Sequence, residues 1–278
     1  MADLQAIASQ VRRDILRMVH AVSSGHPGGS LGCADLLTYL YNERLTLNSS
    51  SFTMDGQRED LFFLSNGHIS PVWYSVLARS GFFPVEELAT FRKISSRLQG
   101  HPSVDKNLPG IRMASGSLGQ GLSVAIGAAT TKKMQADNAM VYCLMGDGEL
   151  QEGQVWEAAM YAGSKKINNL IGIIDYNNRQ IDGDVSDVMG IMPLSDKWTA
   201  FGWEVYHMDG HSFDSMREVF ATIDSNKSNG MPKMIIMKTE MGKGVDFMMG
   251  THKWHGSAPN DEQLATALAQ LPETLGDY

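Results

Sequence analysis

The chain has 278 residues, 43% of them hydrophobic, which is enough to bury the core of one large α/β domain. A formal charge of -8 leaves no excess of Lys and Arg of the kind that neutralises nucleic-acid phosphates, and its two cysteines, Cys33 and Cys143, are too few for a disulfide framework or a cysteine-built zinc site. No apolar run approaches the roughly 20 residues that a membrane helix needs, so the expectation is a soluble, cytoplasmic protein with neither nucleic acid nor membrane as partner.

From the start, MADLQAIASQVRRDILRMVHAVSSG has an amphipathic helical pattern, and Asp3 with Arg12-Arg13-Asp14 is wrong for a secretory signal. Asp60–Ser65 (DLFFLS) is the first run with the length and composition of a buried strand, and a helical pattern follows at Ser70–Arg79. A long polar stretch from Phe91 to Gly110 reads as a functional loop. Helical patterns at Leu118–Gln135 and Glu152–Ser164 then alternate with strand-like runs at Ala139–Met145 and Leu170–Asp175. A second long loop spans Gly183 to Pro193, before strands at Trp203–Met208 and Lys233–Lys238, a helix at Phe213–Asp224 between them, and a last helix at Asp261–Gln270. This alternation predicts an α/β fold, a single domain over residues 1–278 with a mainly parallel sheet and helices on both faces. Ligands of such sheets lie beyond the carboxyl ends of the strands.

The unusual residues fall at those ends. Gly146-Asp147-Gly148 follows one strand, Asp175-Tyr176-Asn177-Asn178 the next, and Met208-Asp209-Gly210-His211 and Thr239 to Gly244 follow two others. Glycines flanking Asp147 allow close approach of a ligand, and its carboxylate is a hard ligand for a metal. The helix that follows favours a phosphate, whereas Glu149 and Glu152 oppose a bare anion, and a divalent cation between carboxylate and phosphate reconciles the two. An amide oxygen after the neighbouring strand completes an oxygen-only set suited to Mg2+ or Ca2+. Gly-Asp-Gly alone is equally readable as a turn, and Asn-Asn alone more readily so; their joint placement argues for a metal-clamped diphosphate.

That pair resembles the diphosphate-binding signature of thiamine diphosphate enzymes. SSGHPGGSLG (Ser23–Gly32), SNGHISP (Ser65–Pro71), LQGHPS with LPGIRMASGSLGQGLSVAIG (Leu98–Gly127) and GTHKWHGSAP (Gly250–Pro259) together resemble the N-terminal, diphosphate-binding part of transketolases, in the right order over nearly the whole chain. The resemblance implies Asp147, Asn177 and the main-chain carbonyl of Arg179 as metal ligands, where the family usually has an apolar residue at the last position. It implies Gly116, Ser117, Leu118, Gly148 and Asn177 as cofactor contacts, with serine standing where proline is usual at 117, and places Glu152 near a subunit seam and the cofactor. His26, His68, His101 and His255 match the histidines lining the channel above the cofactor's thiazolium ring. His255 and His26 are then expected to handle protons at the donor hydroxyl and carbonyl, and His101 to meet the terminal hydroxyl of the two-carbon unit. His68 and His255 lie near the cofactor. His20, His207 and His252 are expected to be structural, and His211 a capping-loop residue.

Gly116, Gly119, Gly121 and Gly127, with Ala125, Ala128 and Ala129, are expected to form one small-residue helix face for a subunit seam. The family's second, pyrimidine-binding domain has no counterpart in these residues. The expectation is therefore the N-terminal subunit of a split transketolase, working in a two-plus-two assembly with a separate C-terminal subunit on sugar phosphates or on sulfonated or branched sugars. A 1-deoxyxylulose-5-phosphate synthase-like chain, a non-catalytic thiamine diphosphate-binding chain, and a nucleotide-binding α/β protein are the alternatives. The last two leave the histidines unexplained.

Overall fold

The computed structural model describes residues 3–226 and 229–278; Met1 and Ala2 of the N-terminal helical segment lie outside them. Five strands, β1 (Leu61–Leu64), β2 (Val141–Gly146), β3 (Leu170–Tyr176), β6 (Glu204–Asp209) and β7 (Lys233–Lys238), form one sheet in the order β1-β2-β3-β7-β6, with every neighbouring pair parallel. A two-residue hairpin, β4 (Arg179–Gln180) with β5 (Gly183–Asp184), stands apart from it.

Alternation along the strands divides the core in two. Phe62, Leu64, Tyr142, Leu144, Ile171 and Ile173 point to one face, where α1 (Leu4–Ala21), α3 (Ala34–Tyr39), α4 (Ser70–Arg79), α9 (Phe213–Ser225) and α10 (Asp261–Gln270) supply the covering side chains. Phe63, Val141, Cys143, Met145 and Ile174 point to the other, under α5 (Gly121–Met134), α6 (Gly153–Ser164) and α8 (Leu194–Ala200). A parallel sheet buried on both faces calls for strands apolar along most of their length, which β1, β2 and β3 supply up to the Asp175 near the end of β3.

Four short helices depart from the expected pattern: α2 (Pro27–Gly32), inside SSGHPGGSLG, α3 right after it, α7 (Val185–Met189), inside the second long loop, and α8 just beyond that loop. The predicted helix from Leu118 starts later, at Gly121, because Gly119 turns the chain at φ +84°. The small-residue stripe is likewise not one face. Gly116 and Gly119 precede α5, Ala125 and Ala129 are on its buried side, and a Cβ on Gly127 would meet nothing within 4 Å. Gly121 serves a different purpose: a Cβ there would lie 2.4 Å from the Cβ of Ser65, so its absence lets α5 reach the end of β1.

Candidate active site

Register brings the two sequence motifs side by side. Gly146 of β2 is paired with Asp175 of β3, so the Gly146-Asp147-Gly148 turn and the Asn177 loop leave adjacent strands at the same level. They floor a cavity of about 410 Å³ whose walls include His26, His68, Glu152, Asn177, Met241 and His255. Gly116, Leu118, Gly148 and Arg179 also line it, whereas Ser117 is exposed between two lining residues and His101 stands outside the lining. A larger cavity of about 590 Å³ opens beside Asp60 and Met140, away from the strand ends that carry these motifs. There the Asp60 carboxylate is already engaged by the main-chain N–H groups of Thr46 and Met140. The smaller cavity is the one that the glycine, aspartate and asparagine motifs line.

Asp147 is 1% exposed. Its Oδ1 accepts from the Gly148 N–H at 2.8 Å and its Oδ2 from the Asn178 N–H, and no lysine or arginine among the described residues ion-pairs with it. Burial, and then the neighbouring Asp175 carboxylate, push Asp147 up to about 7. Asp175 is itself raised by burial, accepts from Thr239 Oγ1, and takes a 2.9 Å hydrogen bond from Asn177 Nδ2. Asn177 Oδ1 accepts from the Arg179 N–H at 2.8 Å, which orients the amide.

Two buried carboxylates without a lysine or arginine beside them, next to an oriented amide oxygen, suit a divalent metal that takes hard oxygen ligands. Among the described residues no three His, Cys, Asp or Glu side chains are grouped to hold a metal unaided. A metal here needs main-chain and ligand oxygens to fill its shell, which fits a phosphate-bearing cofactor. Asn66 and His26 both line the cavity, and Asn66 Oδ1 and His26 Nδ1 are buried without a protein partner, which leaves them hydrogen-bonding capacity for a ligand.

Glu149, read from the sequence as opposing an anion, has a different task in the structure. It is buried, its Oε1 accepts from the Gly119 N–H at 2.8 Å and from Ser65 Oγ, and its Oε2 accepts from the Gly146 N–H at 3.0 Å. One carboxylate thus ties together the ends of β1 and β2 and the Gly116–Leu118 loop. Its place in a run of acidic residues conceals this, because nothing in GDGEL distinguishes a side chain turned inward from one turned toward the ligand. Glu152 stays exposed at the start of α6, packed against Gly119.

Four imidazoles gather above this floor. His26 caps the start of α2, His68 sits in the turn Gly67–Ile69 before α4, and His255 follows the turn His252–Trp254. Ring centroids lie 5.0 Å apart for His26–His68, 5.1 Å for His68–His255, 5.7 Å for His26–His255 and 6.4 Å for His26–His101. Burial first, then His255, Arg92 and His101, lower His26 to about 4. Burial likewise lowers His68, His101 and His255, with Arg92 adding to the effect on His101. All four are neutral near pH 7, so each ring offers one donor and one acceptor nitrogen.

Of the histidines expected to be structural, His252 stands in the turn just before His255 and bears on it, while the other two are elsewhere. His20 meets Asp261 at 2.8 Å and His207 meets Ser195 at 3.0 Å. His211 does more than cap a loop: its Nδ1 lies 2.9 Å from Asp35 Oδ2 and its Nε2 accepts from the Glu240 N–H at 2.8 Å, fastening the strap that presents Met241 to the cavity.

Residues 4–273 match the family described as transketolase, thiamine diphosphate binding domain. The chain belongs to that family. It is 38% identical to the 6-deoxy-6-sulfo-D-fructose transketolase subunit of Clostridium sp. strain MSTE9, over 97% of this chain and 96% of the relative. It is 37% identical to an apulose-4-phosphate transketolase subunit of Phocaeicola vulgatus, over 98% and 95% respectively. Against the human transketolase it is 36% identical over 96% of its own length but spans 41% of that protein. The solved transketolase of Campylobacter jejuni superposes with a TM-score of 0.88 at 35% identity, covering 96% of this chain and 42% of that one. No helix among the described residues is long and apolar enough to cross a membrane.

Proposed function

We propose that this chain is the thiamine diphosphate-binding, N-terminal subunit of a two-chain transketolase, which moves a two-carbon ketol unit from a ketose to an aldose. The observation that carries the reading is the cluster of four neutral imidazoles standing over the paired Asp147 and Asn177 loops. The two subunit relatives support a separate partner, because each is matched over nearly its whole length. A second chain then carries the pyrimidine-binding domain, in an assembly of two copies of each.

In this reading Asp147, the Asn177 side-chain oxygen and the Arg179 carbonyl would hold Mg2+ or Ca2+, and Gly116, Ser117, Leu118 and Gly148 would contact the cofactor. His68 and Glu152 complete the cofactor's surroundings. Bound there, thiamine diphosphate supplies the carbon nucleophile and the electron sink that breaking a carbon–carbon bond next to a carbonyl requires. The chain's own residues move the protons. His26 and His255 donate to the donor carbonyl oxygen as it gains charge, and take the proton from the adjacent hydroxyl as the bond breaks. His101, more open than the other three, meets the terminal hydroxyl of the transferred unit.

The names of the relatives favour sulfonated or branched sugars alongside sugar phosphates as substrates. The deciding experiment is ketol transfer by the purified chain with thiamine diphosphate and Mg2+, with and without a candidate C-terminal partner, across phosphorylated, sulfonated and branched donors. Activity confined to the mixture is the expected result. Full-rate transfer by this chain alone would overturn the two-chain reading.

A further inference from the structure

Arg92 lies behind the imidazole cluster, and no acid among the described residues is ion-paired with it. Its main chain is left-handed, φ +58°, and its N–H donates to the Leu98 carbonyl at 2.8 Å, so the turn folds the side chain back over the segment that leads to His101. A Cβ built on Gly100 would fall 2.6 to 2.8 Å from the guanidinium carbon, Nε and Nη2, so only glycine admits the guanidinium at that place. Nη1 donates to Ser24 Oγ at 3.0 Å, two residues before His26, and the guanidinium lies 5.6 Å from the Phe91 ring centroid. Nε is buried without an acceptor, and the titratable group that bears on the guanidinium is the buried Tyr74 phenol.

We propose that Arg92 is a positioning residue for the proton-handling histidines: one guanidinium ties the His26 loop to the His101 loop and sets a positive charge behind both rings. The proposal rests on the ketol-transfer reading for its purpose, though its geometry does not. A fixed cation there disfavours a second positive charge on either imidazole, which keeps both free to accept a proton. The groups facing His26 are His68, His101, His255 and Arg92, and those facing His101 are His26, His68 and Arg92. His255 instead faces Asp182, His252, His26 and His68, and the influences on His68 come from the other three imidazoles. Arg92 therefore acts on two of the four.

That selectivity makes the test. Histidine ring signals of the full chain, labelled at Cε1, are followed by NMR against pH for the wild type, Arg92→Lys and Arg92→Gln. Glutamine keeps a donor toward Ser24 and removes the charge; lysine keeps the charge and loses the fork. The expected result is that Arg92→Gln raises the proton affinity of His26 and His101 on the order of tenfold while His68 and His255 hold, with Arg92→Lys nearer the wild type. Unmoved His26 and His101 in Arg92→Gln would overturn the proposal. So would an equal movement of all four rings, which is the signature of a loosened site. In the assembled enzyme the acid limb of kcat/KM should move to higher pH in Arg92→Gln. If the rings move and that limb does not, the charge placement stands and the proton-handling role given to His26 and His101 falls.

Discussion

Asp147 and Glu149 are two residues apart, both buried, and both held above the usual carboxylate range by burial, yet they face opposite tasks. Glu149 has three donors and is spent on structure, while Asp147 has two main-chain donors and an acidic neighbour, and so has capacity left for a cation. Asp147→Asn is expected to weaken Mg2+-dependent thiamine diphosphate binding by at least roughly 100-fold, measured by calorimetry, with the fold retained. The histidines should separate from it. His255→Ala is expected to leave cofactor affinity within a few fold and to lower turnover of the assembled enzyme by about 10² to 10⁴. Wild-type turnover in that variant would remove His255 from the mechanism. For His26 the sign with pH is fixed by its lowered value: the unfolded chain takes up a proton near 6.5, whereas the folded chain resists until about 4. The stability that His26 contributes as a neutral group is complete above that window and is lost as pH falls through it. His26→Asn should therefore unfold with a flatter dependence between pH 6.5 and 4 than the wild type.

At the scale of elements, strands are legible because a sheet buried on both faces leaves a short run with an apolar centre, and KMIIMK and LIGIID are each a strand within a residue of the expected bounds. The loops after them were legible because glycine, aspartate and asparagine cluster where strands end. Helix α2 was not, because three of its six residues are glycine and its propensity argues against a helix. Packing overrides it: a Cβ on Gly28 would stand 2.8 Å from the Trp254 carbonyl, and one on Gly32 3.1 Å from that of Glu240. The glycines are what let the His26-bearing helix press against the two loops that close the cavity, a fact about distant segments that local sequence does not carry. Gly163 near the end of α6 is the extreme case, with a Cβ falling 1.7 Å from the Phe201 carbonyl oxygen and 2.9 Å from its carbon. Because both contacts are backbone, no rotamer change relieves them. Gly163→Ala should destabilise the fold by about 3 kcal/mol or more, read from denaturant midpoints, and a change within about 0.5 kcal/mol would show that α6 and the Phe201 turn shift freely.

Across the whole molecule, the final residues return to the first helix. Arg13 reaches the carbonyls of Leu268 and Leu271 at 3.0 and 2.8 Å, Gln10 accepts from the Thr274 and Leu275 N–H groups, and Asp277 closes the clasp. Its carboxylate accepts from Arg13 at 2.6 and 2.9 Å and from Gln10 at 2.9 Å, and the hydrogen bond to Arg13 holds it down at about 2. Helix α1 also carries Asp14, fully buried and held by Arg79 and Ser75 of α4, so the clasp and the core behind the histidine-bearing elements share one helix. A carboxylate lowered on folding stabilises the folded chain above its ordinary value of 3.8, and that contribution is lost as pH falls through about 2. Asp277→Asn should then cost about 1 to 2 kcal/mol at pH 7, allowing for solvent screening of a partly exposed pair. The cost should shrink steadily below pH 3.8 and be mostly lost as pH falls through about 2, as the wild-type carboxyl becomes protonated in the folded chain as well. Urea unfolding of both proteins at about pH 7, 4 and 2.5 measures it. A difference that stays constant across that range would mean the clasp works through shape and neutral hydrogen bonds, with no contribution from the Asp277 charge.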